Sequence, residues 1–167
     1  MPNCLRITFA AVLLAAAFLP GSSGHAHAAG ARLDRHPVSA ADLTGFQQKK
    51  GAQKNSESPP ASGGPAVLVD WYQAREYCAA RGKRLPSAQE WIAACQAREI
   101  EFPSWIWEWT STDAEGSEAG FKQLCGPGTS TCGCTHAYHP TWSNAVKGFR
   151  CAIPLPSVQR MKNMERR

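Results

Sequence analysis

The sequence predicts a small α+β domain with two short helices, short strands, long loops and disulfide cross-links. Two N-capped helical patterns in the middle of the chain predict the helices, and short apolar runs next to prolines predict the strands. Six of the seven cysteines follow an N-terminal apolar run that is typical of an export signal, which favours disulfides over free thiols. The patterned part, about 90 residues long, is large enough for one modest core.

The N-terminal residues 1–28 have the layout of a secretory signal peptide. Arg6 supplies a positive charge, and residues 7–19 form an apolar run that ends before a small-x-small cleavage site at Ala28. The run is shorter than the roughly 20 apolar residues that cross a bilayer, so we expect no transmembrane anchor. A lipoprotein anchor is also not expected, because Cys4 precedes the run. These features predict a periplasmic or secreted protein cleaved near Ala28.

The next segment, residues 29–65, is predicted to be a disordered linker. Its second half is polar and rich in Gly, Pro and Ser, and such a segment cannot offset its own ordering entropy. Leu43 and Phe46 are candidates for weak docking contacts within it. A domain over 66–156 and a basic, solvated tail over 157–167 are expected to follow.

The chain has a net charge of +5, but its basic residues form no stripe with interleaved aromatics, so nucleic acid is not an expected partner.

The first helix is predicted to begin after Asp70, whose carboxylate can accept hydrogen bonds from the free amides of the first turn. Trp71, Ala74 and Cys78 follow at a spacing that places them on one face. Gly82 is a plausible helix stop.

The second helix is predicted from a capping box, in which Ser87 and Glu90 bond to each other's backbone amides. Trp91, Ala94 and Cys95 then share one helix face. Each predicted helix therefore points one cysteine toward the interior.

Strands are predicted over 66–69 and over 149–153, where apolar Phe149, Cys151 and Ile153 alternate with other residues as in a half-buried strand. The Gly-, Ser- and Thr-rich residues 113–131 are predicted to form a long loop.

The run from 102 to 109 contains three tryptophans. Such a run is more typical of a core than of a surface. The alternative is that Trp105, Trp107 and Trp109 form a stacking surface for a peptide or glycan.

Three cysteines and two histidines lie close together in the sequence: Cys125, Cys132, Cys134, His136 and His139. Thiolates suit Cu(I) or zinc, and imidazole suits either metal, but the spacing matches no standard zinc module. One hypothesis is a metal site that uses Cys132, Cys134, His136 and His139. The alternative is disulfides, and the sequence alone does not choose among the 15 pairings that six cysteines allow.

Three stretches of the sequence resemble motifs of the formylglycine-generating enzyme, or sulfatase-modifying factor, family, and they occur in the same order as in that family. They are the segment from Asp70 to Trp91, the motif Trp-Glu-Trp-Thr-Ser at 107–111, and the motif Gly-Phe-Arg-Cys-Ala at 148–152. The resemblance implies an irregular, C-type-lectin-like α+β domain. Relative to typical family members, this chain resembles a short, N-terminally truncated and divergent one.

The resemblance also implies a cysteine pattern. Cys78 would pair with Cys151, and Cys95 would pair with Cys132 or Cys134. Two further thiols of the family bind Cu(I), which activates oxygen to convert a substrate cysteine into formylglycine. Cys125 and Cys132 are the candidates for that catalytic copper pair, which leaves Cys134 for Cys95.

Two departures from the family pattern shape the functional hypothesis. Residues 121–124 replace the family's Arg-Gly-Gly-Ser, and Ser104 and Trp105 stand where the family has calcium ligands, which argues against that calcium site. We therefore predict an exported, degenerate, non-catalytic binding or accessory module with a protein or peptide partner. The alternatives are a copper-dependent, oxygen-using oxidase that acts on a protein cysteine, and a Cys/His metal-binding protein.

Overall fold

The computed structural model of the chain describes residues 31–51, 63–101, 103, 105–126 and 132–155. The expected signal peptide and the expected basic tail lie outside these residues. The elements are β1 (Ala31–Leu33), α1 (Ala40–Lys49), α2 (Trp71–Ala79), α3 (Ala88–Gln96), β2 (Trp107–Asp113), a short 3₁₀ turn (Gly116–Glu118), β3 (Lys122–Cys125), β4 (His136–Tyr138), β5 (Lys147–Gly148) and β6 (Ala152–Pro154). This is the predicted small α+β domain, and it contains three disulfides.

A four-stranded sheet in the order β4-β3-β2-β5 lies between two hydrophobic clusters. Trp109 and Leu124, which pair across β2 and β3, face the larger cluster with α2, while Cys125 on the opposite face joins the cluster of α3. A second sheet joins β1 to β6 in antiparallel register. Within the described residues, no helix is long and apolar enough to cross a bilayer.

The two predicted helices are confirmed together with their caps. The Asp70 carboxylate accepts a hydrogen bond from the Gln73 amide at 2.8 Å, and the Gln73 side chain accepts one from the Asp70 amide at 3.1 Å. The predicted apolar face of α2 is buried. In α3 the same reciprocal pair joins Ser87 and Glu90.

Glu90 also forms a two-bond ion pair with Arg84, with N–O distances of 2.6 and 2.7 Å. The Arg84 hydrogen bonds, followed by those from Ser87, hold the pKa of the Glu90 carboxyl below its ordinary value. A group whose folded-state pKa is lowered contributes stability above its unfolded pKa and loses it as pH falls through the folded pKa.

We therefore expect the free energy of unfolding to fall as pH drops below about 4.3, the ordinary pKa of glutamate, and to fall less steeply in Glu90→Gln. Urea unfolding of both proteins between pH 6 and pH 3 measures the two slopes. Equal slopes would contradict the assignment. Exposed Glu99→Gln is the matched control and should follow the unmodified protein.

The expected linker is corrected over its described part. Residues 31–33 pair with the last strand, and residues 40–49 form a helix capped by Ser39. Val38 and Leu43 are buried in the larger cluster, and Phe46 packs against it. The prediction failed because the polar composition of residues 47–65 was extended to the whole segment, although its first part carries enough apolar side chains to pack. Residues 52–62 lie outside the described part.

Three strand and loop predictions are also corrected. Residues 66–69 are not a strand, because Leu68 has a φ of 58° and the amide of Ala66 donates to the Val38 carbonyl instead. Of the strand expected over 149–153, only residues 152 and 153 are in a strand, β6, because β5 ends at Gly148; Arg150 and Ala152 are fully buried rather than solvent-facing. The expected long loop over 113–131 contains β3.

Candidate functional site

The six cysteines of residues 31–155 form three disulfides. Cys78 on α2 is bonded to Cys151, with a Cα–Cα distance of 5.5 Å, which is the pairing that the family resemblance implies. Cys95 on α3 is bonded to Cys132, and Cys125 at the end of β3 is bonded to Cys134.

The last two bonds correct the expected pairing of Cys95 with Cys134. Beyond β3 and β4 the antiparallel ladder continues through a 3.0 Å hydrogen bond from the Gly126 amide to the Gly133 carbonyl. This ladder brings Cys134 next to Cys125, and Cys132 is then the cysteine that reaches α3. Sequence spacing could not show this, because the choice depends on the register of two strands.

The candidate copper pair does not fit a copper site in this structure. Cu(I) is held by thiolates, whereas the sulfurs of Cys125 and Cys132 are each bonded to another cysteine. Cys125 is also fully buried. At the position of the family's calcium ligands, the Trp105 side chain offers no oxygen, and Ser104 lies outside the described residues.

The two candidate metal-binding histidines do not face a common point. His136 lies on the Trp107 ring, with a centroid distance of 3.9 Å. The Nδ1 of His139 is instead 2.8 Å from the Thr141 hydroxyl. In the described part of the chain, no three side chains of His, Cys, Asp or Glu are arranged to hold a metal ion.

The three tryptophans of the predicted stacking surface lie in different environments. Trp105 is 49% exposed and Trp107 is half-buried. Trp109 is fully buried, and its indole nitrogen donates a 2.8 Å hydrogen bond to the Val69 carbonyl. Trp109 is therefore part of the core, and the three residues do not form one stacking surface.

A different set of rings lies around β4, in two groups of contacting rings. One group is Trp107 and His136, and the other is Tyr138, Trp142, His139 and Phe121. Trp142 is 52% exposed. We call the set Trp107, Phe121, His136, Tyr138, His139 and Trp142 the aromatic surface. It was missed in the sequence because its residues come from three separate segments, which pair only in the folded sheet.

Lys147 lies under this surface. Lys147 is 2% exposed, and its Nζ lies 3.4 Å from the centroid of the Tyr138 ring and 5.7 Å from that of the Trp109 ring. Burial lowers the pKa of the Lys147 ammonium. Contacts with ring faces compensate part of the cost of desolvating the cation.

The motifs around Glu108 and Arg150 are structural. Arg150 is fully buried and contacts both carboxylate oxygens of Glu108, at 2.5 and 2.7 Å. Its remaining N–H groups donate to the carbonyls of Asp34, Arg35 and Glu101.

Gly148 is required for a close backbone contact, since a Cβ there would lie 2.8 Å from the Ala66 carbonyl oxygen. The Gly-Phe-Arg-Cys motif thus contributes a close contact, a buried ion pair and a disulfide to the fold.

A comparison with protein families agrees with this architecture. A family model described as the Sulfatase-modifying factor enzyme 1-like domain matches residues 21–104. The match begins well ahead of residue 66 and includes both capped helices, α2 and α3. The Trp-Glu-Trp and Gly-Phe-Arg-Cys motifs lie beyond its end. No curated protein shows significant similarity to the chain.

Proposed function

The chain belongs to the family of sulfatase-modifying factor enzyme 1-like domains, and from that premise we propose that it is a non-catalytic, disulfide-stabilised binding module. It would act outside the reducing cytoplasm, after removal of residues 1–28, and recognise a protein or peptide partner. The irregular sheet with long connections is compatible with the C-type-lectin-like arrangement that the family resemblance implies.

One observation carries the non-catalytic half of the proposal: all six cysteines of residues 31–155 are used in disulfides. Copper-dependent oxidation of a substrate cysteine needs thiolates for the metal, and none is left in this redox state. The three bonds suit an exported domain, since small extracellular domains commonly depend on cross-links for stability.

The aromatic surface supports the binding half. Large rings with polar edges are enriched where proteins meet partners, because they bury much area at low entropic cost. Trp142 is an exposed ring of the set, and three other rings contact it. Among the described residues no ring of this set contacts Trp105, which is not part of the proposed site.

A thiol and copper assay tests the non-catalytic half. We expect the oxidised chain from residue 29 onward, unfolded without reductant, to show no reactive thiol. We also expect it to take up no Cu(I) from a competing chelator. It should consume no oxygen when given a cysteine-containing peptide. Cys125→Ser is the positive control for the assay, because it releases Cys134 as one free thiol. Two free thiols and one tightly bound Cu(I) per unmodified chain, with one free thiol and no tightly bound Cu(I) in Cys125→Ser, would overturn the proposal in favour of the oxidase.

A further inference from the structure

Lys147 is a buried cation without a carboxylate partner. In the described residues no acceptor takes a hydrogen bond from its Nζ, and no carboxylate lies within ion-pair distance of it. Every fully enclosed side-chain nitrogen of the described residues has a hydrogen-bond partner. Since the Nζ of Lys147 has none, this atom is not fully enclosed and reaches the surface. The Lys147 side chain is therefore buried along its stem, and its ammonium touches solvent at the tip, beside the Tyr138 ring.

The charges around the aromatic surface leave Lys147 uncompensated. The neighbouring cation Lys122, which pairs with Tyr138 across β3 and β4, is already neutralised by an ion pair with Asp113. A partly desolvated ammonium is stabilised strongly by a carboxylate that binds to it, because the site has already lost most of its water. The site therefore favours a partner that brings a negative charge.

The position of β4 favours a polypeptide as the source of that charge. Among the described strands, β4 lies at the edge of the four-stranded sheet and pairs with β3 alone. The backbone of an edge strand can pair with an added extended segment, while alternate side chains of that segment reach pockets on one face. His136 and Tyr138 are two residues apart on β4, so both project to the face on which Lys147 lies.

We propose that the aromatic surface binds an extended acidic polypeptide segment, with one of its carboxylates placed on the Lys147 ammonium beside Tyr138. The segment would run along β4 and contact Trp142 with its apolar groups. This inference rests on the proposed function and names the chemistry of the partner.

Two matched peptides test it: one of alternating Glu and Thr, and the same peptide with every Glu replaced by Gln. Binding to the full oxidised chain is followed by NMR, through the side-chain signals of labelled lysines and the amides of β4. We expect the Glu peptide to bind about tenfold more tightly than the Gln peptide, as a charge-assisted contact would give. In Lys147→Met, which keeps the buried stem, this difference should disappear, and Lys147→Arg should keep part of it.

The controls separate the failure of this inference from that of the proposed function. Arg32→Met removes an exposed charge from the other sheet and should leave both affinities unchanged. Trp142→Ala should weaken both peptides equally. Equal affinities for the two peptides, both lost in Trp142→Ala, would overturn the acidic preference and leave the binding module standing.

Two further outcomes overturn the inference. One is tighter binding of a sulfated oligosaccharide than of the Glu peptide. The other is the absence of any shift around β4 with either peptide, which would also remove the aromatic surface as a peptide site. Near-UV circular dichroism and disulfide mapping of each variant establish that it is folded.

Discussion

Replacing Arg150 with Met is expected to be the most damaging single substitution in the domain. Removing one partner of a buried ion pair leaves the other charge uncompensated and costs about 3–5 kcal/mol. Here the free carboxylate would be Glu108, which is fully buried. Because small domains are stable by only about 5–15 kcal/mol, we expect much of Arg150→Met to be unfolded at 37 °C, as measured by urea unfolding and near-UV circular dichroism.

Two comparisons test the cause of this loss. The double variant Glu108→Met/Arg150→Met removes both charges and should recover part of the stability, since paired buried charges can often be replaced by apolar side chains. Full recovery is not expected, because the carbonyls of Asp34 and Glu101 would lose their donor. Arg35→Met removes an ion pair with Glu101 in which the Arg35 side chain is 67% exposed, and it should change the free energy of unfolding little. An Arg150→Met protein as stable as Arg35→Met would contradict the role of the buried pair.

Removing the Cys78–Cys151 bond is expected to cost more stability than removing either other disulfide. This bond joins residues 73 apart, against 37 for Cys95–Cys132 and 9 for Cys125–Cys134. In the chain-entropy model these separations correspond to about 4.4, 3.8 and 2.6 kcal/mol. The remaining cross-links shorten the effective loop, so the measured losses should be smaller while the order is kept.

Paired Cys→Ala variants of each bond, compared by urea unfolding, give this order directly. The Cys125→Ala/Cys134→Ala variant is the matched control with the shortest loop. The order would be contradicted if that variant lost as much stability as Cys78→Ala/Cys151→Ala. Disulfide mapping of the unmodified protein provides a separate check, because a Cys95–Cys134 fragment would contradict the strand register.

Local sequence signals predicted the helices well, because a cap and an apolar face are determined within about ten residues. Asp70 and Ser87 each start a helix where expected. Helix α1 was missed although Ser39 caps it locally, because the polar composition of residues 47–65 was extended to the whole segment. Other failures depended on non-local pairing. The role of residues 31–33 as a strand depends on β6, more than a hundred residues later in the sequence.

The candidate site was predicted less well for the same reason. The pairing of Cys132 and Cys134 depends on how β3 and β4 align, which no local pattern encodes. The burial of Trp109 and the exposure of Trp142 likewise depend on which sheet face the helices cover. The rings of the aromatic surface had no shared motif that would have predicted their contact.

The connectivity of the cysteines has a consequence for how the protein matures. None of the three native bonds joins cysteines that are neighbours along the chain, since other cysteines always lie between the two partners. If the chain is exported, as we propose, oxidation in the order in which its thiols emerge would first link Cys78 to Cys95, which is a non-native bond. Native protein would then require either delayed oxidation or later thiol–disulfide exchange, and its yield should depend on a disulfide isomerase in the compartment that receives it.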